Sequence, residues 1–332
     1  MRLGYRRWTS FVAGICTLAL VGGSLVGCNG EENSAARDSD ETDRLVVGFS
    51  QIGAESAWRT AETESIRSEA SVRGVDLKFV DAQGKQENQV KAMRNFIAQG
   101  VDAIILAPVV ETGWDSVLKE AQRAEIPVIL VDRGVQVEDD SLYATLIASD
   151  FVEEGRMAGR WLADALGGSG NIVELQGTPG SAPAIDRKKG FEEVIDTFPD
   201  LAIIKSQTGE FTRAKGKEVM EAFLKSDGAG IDAVYAHNDD MALGAIQAIQ
   251  EAGMQPGEDI LVVSIDGVRA AFEAMVDGTL NCTVECNPLL GPAAFDAVEK
   301  AVAGESLEKW TKVEDRVFDQ SNAAEHIDSR RY

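Results

Sequence analysis

Residues 230–253, GIDAVYAHNDDMALGAIQAIQEAG, decide how this chain is read. A short apolar run, Ile231 to Ala236, has the length of a buried strand. It opens into the polar group His237-Asn238-Asp239-Asp240. A helical stretch follows, with Met241, Ala242, Ala245, Ile246 and Ile249 on one face. Downstream, Ser264-Ile265-Asp266-Gly267 closes another apolar run. In parallel α/β sheets ligands sit where strands end and helices begin. If the two strands are neighbours, these polar groups share one such end, as a site for a small polar molecule requires.

Outward from this stretch, strand and helix patterns alternate. LVVGFS (45–50), VDLKFVD (75–81), DAIILAP (102–108) and PVILVDR (127–133) are separated by helical stretches near 57–73, 86–99 and 112–125. After LYATLIASD (142–150) a second series begins: a helix near 151–166, NIVELQG (171–177), a helix near 183–197, LAIIKSQ (201–207), a helix near 213–226, the opening stretch and DILVVSIDG (259–267). The tail holds NCTVEC (281–286), a helix near 288–303 and a short strand near 314–318. Runs of Val, Ile and Leu on both faces mark parallel strands covered on both sides. Two such series predict an α/β chain with two doubly wound lobes.

The first residues read as an export signal. Arg2, Arg6 and Arg7 precede an apolar run from Phe11 to Val26, interrupted by glycines and short for a membrane span. Leu25-Val26-Gly27-Cys28 resembles the lipobox of bacterial lipoproteins, which implies residues 1–27 as a signal peptide and lipidation of Cys28. Residues 28–44 are acidic and nearly free of large apolar side chains, the composition of a flexible tether. The formal charge is −23, and loss of the leader's arginines makes the chain more acidic still. Such a chain does not suit a nucleic-acid partner, which needs basic patches. Cys282 and Cys286, if extended, lie about 13 Å apart, too far for a disulfide without a turn. The two histidines and the cysteines show no zinc spacing. Consecutive His237, Asp239 and Asp240 point in different directions, so no metal or cofactor is expected.

Beyond residue 45 the chain resembles the periplasmic solute-binding proteins of sugar ABC transporters, in the ribose- and galactose-binding class. Within that class it is most similar to galactofuranose binders. The resemblance rests on VGFSQIGAESAWRTAE (47–62), KQENQVKAMRNFIAQGVDAIILAPVVETGW (85–114), AIDRKKGF (184–191), GEFTRAKGKEVM (209–220) and YAHNDDMALGAIQAIQEAG (235–253). It implies the type I architecture, with hinge crossings near 148–150, 285–288 and 315–318. One lobe would comprise 45–148 plus 287–316, the other 149–286 plus 317–332.

A sugar needs hydrogen-bonding groups at fixed angles and flat apolar faces. Candidates stand at strand ends. Glu55, Ser56, Trp58 and Arg59 follow the first strand, with Trp58 suited to stack and Arg59 to donate in parallel. Asp132 and Arg133 close the fourth. The family resemblance adds Arg187, early in a second-lobe helix, and Phe211 as a second aromatic plate. Asn238 and Asp266 end second-lobe strands, while Asp239 and Asp240 suit a helix cap. Glu285 and Cys286 lie at a crossing, where ribose binders carry Gln in place of Cys286.

These residues predict capture of a monosaccharide, furanose-form by the resemblance, through hinge closure of a monomer, with delivery to an ABC permease and membrane anchoring through Cys28. Two alternatives differ in class. Asp132 and Asp266 suit a glycosidase pair, yet site arginines would hold both ionised, and no nucleophile elbow, phosphate loop or metal motif occurs. A sugar sensor feeding a chemoreceptor or sensor kinase shares every binding feature with a transporter subunit. A repressor would carry a DNA-binding headpiece where the export signal stands.

Overall fold

The computed structural model describes residues 44–332. The leader, Cys28 and all of the tether but Arg44 lie outside the described residues. The elements run β1 (Val46–Gln51), α1 (Ala57–Val72), β2 (Asp76–Asp81), α2 (Gln86–Gln99), β3 (Ala103–Leu106), α3 (Asp115–Arg123), β4 (Val128–Val131) and β5 (Thr145–Ser149). Then come α4 (Phe151–Ala165), β6 (Ser169–Gln176), α5 (Ala182–Ile195), β7 (Asp200–Thr208), α6 (Arg213–Asp227), β8 (Ala233–Ala236), α7 (Asp239–Glu251), β9 (Leu261–Asp266), α8 (Arg269–Val276) and β10 (Cys282–Glu285). The tail forms α9 (Gly291–Val302), β11 (Trp310–Val313), β12 (Val317–Asp319) and α10 (Ala323–His326).

Two six-stranded sheets result, in the orders β11-β5-β4-β3-β1-β2 and β12-β10-β9-β8-β6-β7. All pairings are parallel except β10 with β12. Alternation within the strands explains the double cover. Ile105, Ile129 and Val131 face a core with Ile66, Phe295 and Val298 of α1 and α9. Ile104, Val128 and Leu130 face the other side, with Met93, Phe96, Val117 and Leu118 of α2 and α3. A strand apolar on both sides is stable only between two helical layers. The chain leaves the first sheet after β5, returns to it between β10 and α9, and leaves again between β11 and β12.

Three details depart from the sequence reading. The stretch near 314–318 is not one strand. Trp310–Val313 pairs with β5 in the first sheet, Val317–Asp319 pairs with β10 in the second, and the residues between them pass from one sheet to the other. LAIIKSQ belongs to an edge strand, β7, with Ala202, Ile204, Ser206 and Gln207 exposed, so its apolar run does not mean burial on both faces. The helix α8, packed against α10, was not anticipated, because its Ala-rich octet is too short for a clear period.

Close helix packing positions one half of the cleft. A Cβ at Gly155 of α4 would lie 2.2 Å from the Arg187 carbonyl, and one at Gly190 of α5 would lie 1.9 Å from the Val152 carbonyl. The glycines let two backbones touch, which sets the height at which Arg187 leaves α5. Gly190→Ala forces these helices apart and is expected to cost about 1–3 kcal/mol, read as a lower denaturation midpoint at unchanged slope. An unchanged midpoint contradicts this packing.

Candidate ligand-binding site

The β1–α1 loop builds one wall. Ser56 caps α1, its hydroxyl accepting the Arg59 backbone N–H at 3.1 Å. Trp58, Glu62, Ile66 and Ala70 share the buried face of the helix. Glu62, a carboxylate on that apolar stripe, pairs with the Arg59 guanidinium and accepts from Gln51 Nε2 at 3.0 Å. Arg59 also donates to Glu55 at 3.1 Å and to Asp132 at 2.5 Å. Arg133 lies beside it, 3.5 Å from Asp132 and 3.7 Å from Glu55, and donates to the Val109 carbonyl at 3.1 Å. Burial and the neighbouring Arg59 charge lower the Arg133 pKa to about 10. Burial also works against the Arg59 cation, but Asp132, Glu62 and Glu55 outweigh it and raise its pKa well above the usual value. Burial raises Glu62 to about 7 against the pull of Arg59.

The second wall comes from β8, β9 and α5. Arg187 donates to Glu154 at 2.7 Å and to the His237 carbonyl at 2.6 Å. Its remaining nitrogen lies 3.7 Å from Asp266. At that distance burial dominates, and the Asp266 carboxyl is pushed well above the usual range despite Arg187. Arg187 therefore restrains Asp266 less closely than it does Glu154, because it spends its close contacts elsewhere.

The polar group after β8 divides its work differently from the sequence reading. Asn238, not Asp239 or Asp240, caps α7 through its side chain, accepting the Met241 N–H at 3.0 Å, and its amide donates to the Phe211 carbonyl at 3.1 Å. Asp239 accepts from Ser264, Thr283 and the Val268 N–H at 2.5, 2.8 and 2.8 Å, tying three elements together. Asp240 reaches across the cleft and accepts the Ala57 N–H at the start of α1, at 2.8 Å. His237 is fully buried, its ring nitrogen 2.9 Å from Glu174. No metal-holding cluster of His, Cys, Asp or Glu occurs among the described residues.

Phe211 is buried, and a Cβ on Gly177 would lie 1.9 Å from its ring, so only glycine leaves room for it. From the opposite wall the Arg133 guanidinium sits 5.3 Å from the Phe211 ring centroid, within cation–π range. Trp58 is buried likewise, and its indole N–H donates across the cleft to the Cys286 carbonyl at 2.6 Å. Asp132, Phe211 and Asp266 have φ of 62°, 62° and 133°. Non-glycine residues in this region are strained, and such strain gathers at functional sites.

All these walls meet at one cavity. Glu55, Ser56, Trp58, Arg59, Asp132 and Arg133 line it from one side, and Arg187, Phe211, Asn238 and Asp266 from the other, so the candidates converge. Pro183 and Cys286 complete the lining. About 280 Å³ between the walls, open solvent included, is free of atoms. Glu55 Oε2 and Arg133 Nε have no hydrogen-bond partner among the described residues. Buried polar atoms are costly to leave unpaired. The site thus offers an acceptor, a donor and two apolar faces between the two walls. The sequence reading missed Glu62 and Glu154, which fix the two arginines. Both carry one visible signal, an acid in a helix with an apolar residue four positions on, Ile66 after Glu62 and Ala158 after Glu154. Cys282 and Cys286 are buried free thiols, each pushed up by burial.

Comparison with known proteins identifies the family. The family profile described as a periplasmic binding protein domain matches residues 47–306. The chain belongs to the periplasmic binding protein family. The galactofuranose-binding protein YtfQ of Escherichia coli is 54% identical over 291 residues, 86% of this chain and 92% of its own. The binding component of the arabinose ABC transporter from Shewanella sp. ANA-3, solved with α- and β-L-arabinofuranose, is 58% identical with a TM-score of 0.84, covering 86% of this chain and 96% of its own. A Mycobacterium smegmatis protein solved with β-D-fucofuranose is 54% identical with a TM-score of 0.85, covering 87% and 95%. These relatives are binding proteins rather than enzymes, so the glycosidase reading of Asp132 and Asp266 is set aside.

Two outcomes test the geometry. The Asp240–Ala57 hydrogen bond joins the walls without touching the cavity, so Asp240→Ala is expected to weaken sugar binding about tenfold, as loss of a bond to a charged group does, chiefly through faster release in stopped-flow fluorescence. Unchanged release contradicts it. At the passage between sheets, burial and the Glu154 charge raise Asp315 from 3.8 to about 8. The folded protein then binds a proton that the unfolded chain releases, so this group makes stability fall as pH rises from about 4 to about 8. Asp315→Asn is expected to flatten that slope in denaturant titrations across this range, and an unaltered slope contradicts it.

Proposed function

We propose that this protein is an extracytoplasmic binding lipoprotein that captures a furanose-form monosaccharide, such as galactofuranose or arabinofuranose, and delivers it to an ABC permease. The observation that carries this reading is the division of the cavity lining: Arg59, Asp132 and Arg133 come from the first lobe, Arg187, Asn238 and Asp266 from the second. A ligand that needs both sets is held fully only when the lobes meet, so it draws the equilibrium toward the closed form. Trp58 and Phe211 supply apolar faces for the ring, and Glu55 Oε2 and Arg133 Nε supply hydroxyl partners. In this reading Cys28 carries the lipid that keeps the protein beside its permease, and the monomer is the working unit. The ring-size preference rests on the furanose ligands of the similar structures.

Galactose and L-arabinose labelled with ¹³C at C1 separate the ring forms by chemical shift. The bound sugar is expected to show the furanose signal although the pyranose dominates in solution. A bound pyranose signal rejects the ring preference, and absence of binding by every sugar tried rejects the function. Asp132 also holds the buried Arg59, so Asp132→Ala would confound stability with binding. Asp132→Asn keeps the shape and is expected to cost about 10- to 100-fold in affinity by calorimetry. Retained affinity removes Asp132 from the site.

A further inference from the structure

The His237 ring is fully buried and lies outside the cavity lining. Its two nitrogens meet different kinds of partner. Nδ1 lies 3.3 Å from the Gly177 backbone nitrogen, and Nε2 lies 2.9 Å from Glu174 Oε1. A backbone N–H only donates, so Nδ1 accepts. The ring is then neutral, with its single proton on Nε2 donated to Glu174. The groups that face the ring favour this form. Burial lowers the pKa of His237 against the pull of Glu174 on β6, and the cations Arg187 and Lys188 of α5 lower it further. Burial works to raise Glu174, but hydrogen bonds from His237, Ser206 and Gln176 outweigh it and hold that carboxyl below the usual range. Tyr235 of β8, its ring centroid 5.1 Å away, is pushed well above its usual value by burial and stays neutral.

Gly177 carries the position of this ring to the cavity. Its N–H is held by His237, and its carbonyl accepts from Thr208 Oγ1 at 2.7 Å. The Phe211 ring packs so closely on it that a Cβ there would lie 1.9 Å away. Phe211 in turn lines the cavity, so a shift of Gly177 shifts a cavity wall. A second proton on the imidazole sets an N–H against the Gly177 N–H, and the bond is lost. The His237 carbonyl, accepting from Arg187 at 2.6 Å, ties the same residue to a second cavity group.

We propose that His237 is a positioning residue for sugar binding: its neutral ring, protonated at Nε2 alone, fixes Gly177 and through it the Phe211 face on which the sugar packs. This rests on the sugar-binding reading above. The bound sugar holds Phe211 onto Gly177 and so favours the neutral ring. By linkage, protonation of the ring weakens the sugar to the same degree. The affinity carried by this residue is therefore complete above about pH 6.5 and is lost as pH falls below it.

Histidine labelled with ¹⁵N reads the ring directly, since the chain has two histidines and His326→Gln leaves His237 alone. With L-arabinose or galactose bound at neutral pH, Nδ1 is expected to be unprotonated and Nε2 protonated in the nitrogen spectrum. A proton on Nδ1 overturns the proposal. On titration toward acid, the His237 midpoint is expected to lie about one pH unit lower with sugar bound than without, the shift that a tenfold coupling gives. Binding of sugar with an unmoved midpoint overturns the positioning role and leaves the sugar reading intact. A pair of variants isolates the acceptor: His237→Asn keeps an oxygen near the Nδ1 position and His237→Leu does not, while both lose the bond to Glu174. Calorimetry at neutral pH is expected to show about tenfold weaker binding in His237→Leu than in His237→Asn, the cost of leaving the Gly177 N–H unpaired. Equal affinity in the pair overturns the proposal. Absence of binding by either sugar in the wild type fails the sugar reading and the positioning role with it.

Discussion

Two guanidinium groups buried side by side repel each other and resist leaving water, so Arg59 and Arg133 exist in this interior only because carboxylates surround them. Glu55, Glu62 and Asp132 supply that charge. Each acid comes from a different feature of the lobe: a loop, a helix face and a strand end. The sheet, the helix α1 and the loop must all be in place before the arginines can be. Arg187 repeats the arrangement in the second lobe, with Glu154 from α4 as its main partner. Much of the donor capacity is thereby committed to rigid protein contacts, which fixes the geometry a sugar meets.

The balance between lobes follows from which groups remain unsatisfied. Arg133 Nε, 3.5 Å from Asp132, and Glu55 Oε2 have no hydrogen-bond partner among the described residues. Asp266 lies 3.7 Å from the nearest Arg187 nitrogen, beyond a close hydrogen bond, and faces the cavity. A hydroxyl-rich ligand can answer all three. Direct links between the walls, from Ala57 to Asp240 and from Trp58 to Cys286, stabilise the same closed arrangement without using the ligand. Closure in the proposed mechanism is therefore a sum of sugar contacts and protein contacts, and the second set sets how long the sugar stays.

Much of this was legible in the chain. Parallel strands announced themselves by Val, Ile and Leu on both faces, and their ends gave Asp132, Arg133, Asn238 and Asp266. The positions of Arg187 and Phe211 came from resemblance, since an arginine in a basic run and a lone phenylalanine carry little signal of their own. Asn238 and Asp240 show what pattern cannot resolve. The sequence reading put the cap on Asp239 and Asp240, and only the backbone path decides that Asn238 takes it while Asp240 meets the other lobe. The tail behaved similarly: the single short strand expected near 314–318 covers the passage between Trp310–Val313 and Val317–Asp319, which the two sheets claim separately. Glu62 and Glu154 were readable in principle as acids on apolar stripes, but a single sequence gives no measure of their burial.

Convergence of two charged half-sites on one sugar is tested most directly by small-angle X-ray scattering of the wild-type protein during an L-arabinose titration, with calorimetry on the same samples. The radius of gyration is expected to fall as sugar is added and to saturate along the binding isotherm. Full occupancy by calorimetry with no change in the radius of gyration would contradict closure of the lobes around the ligand.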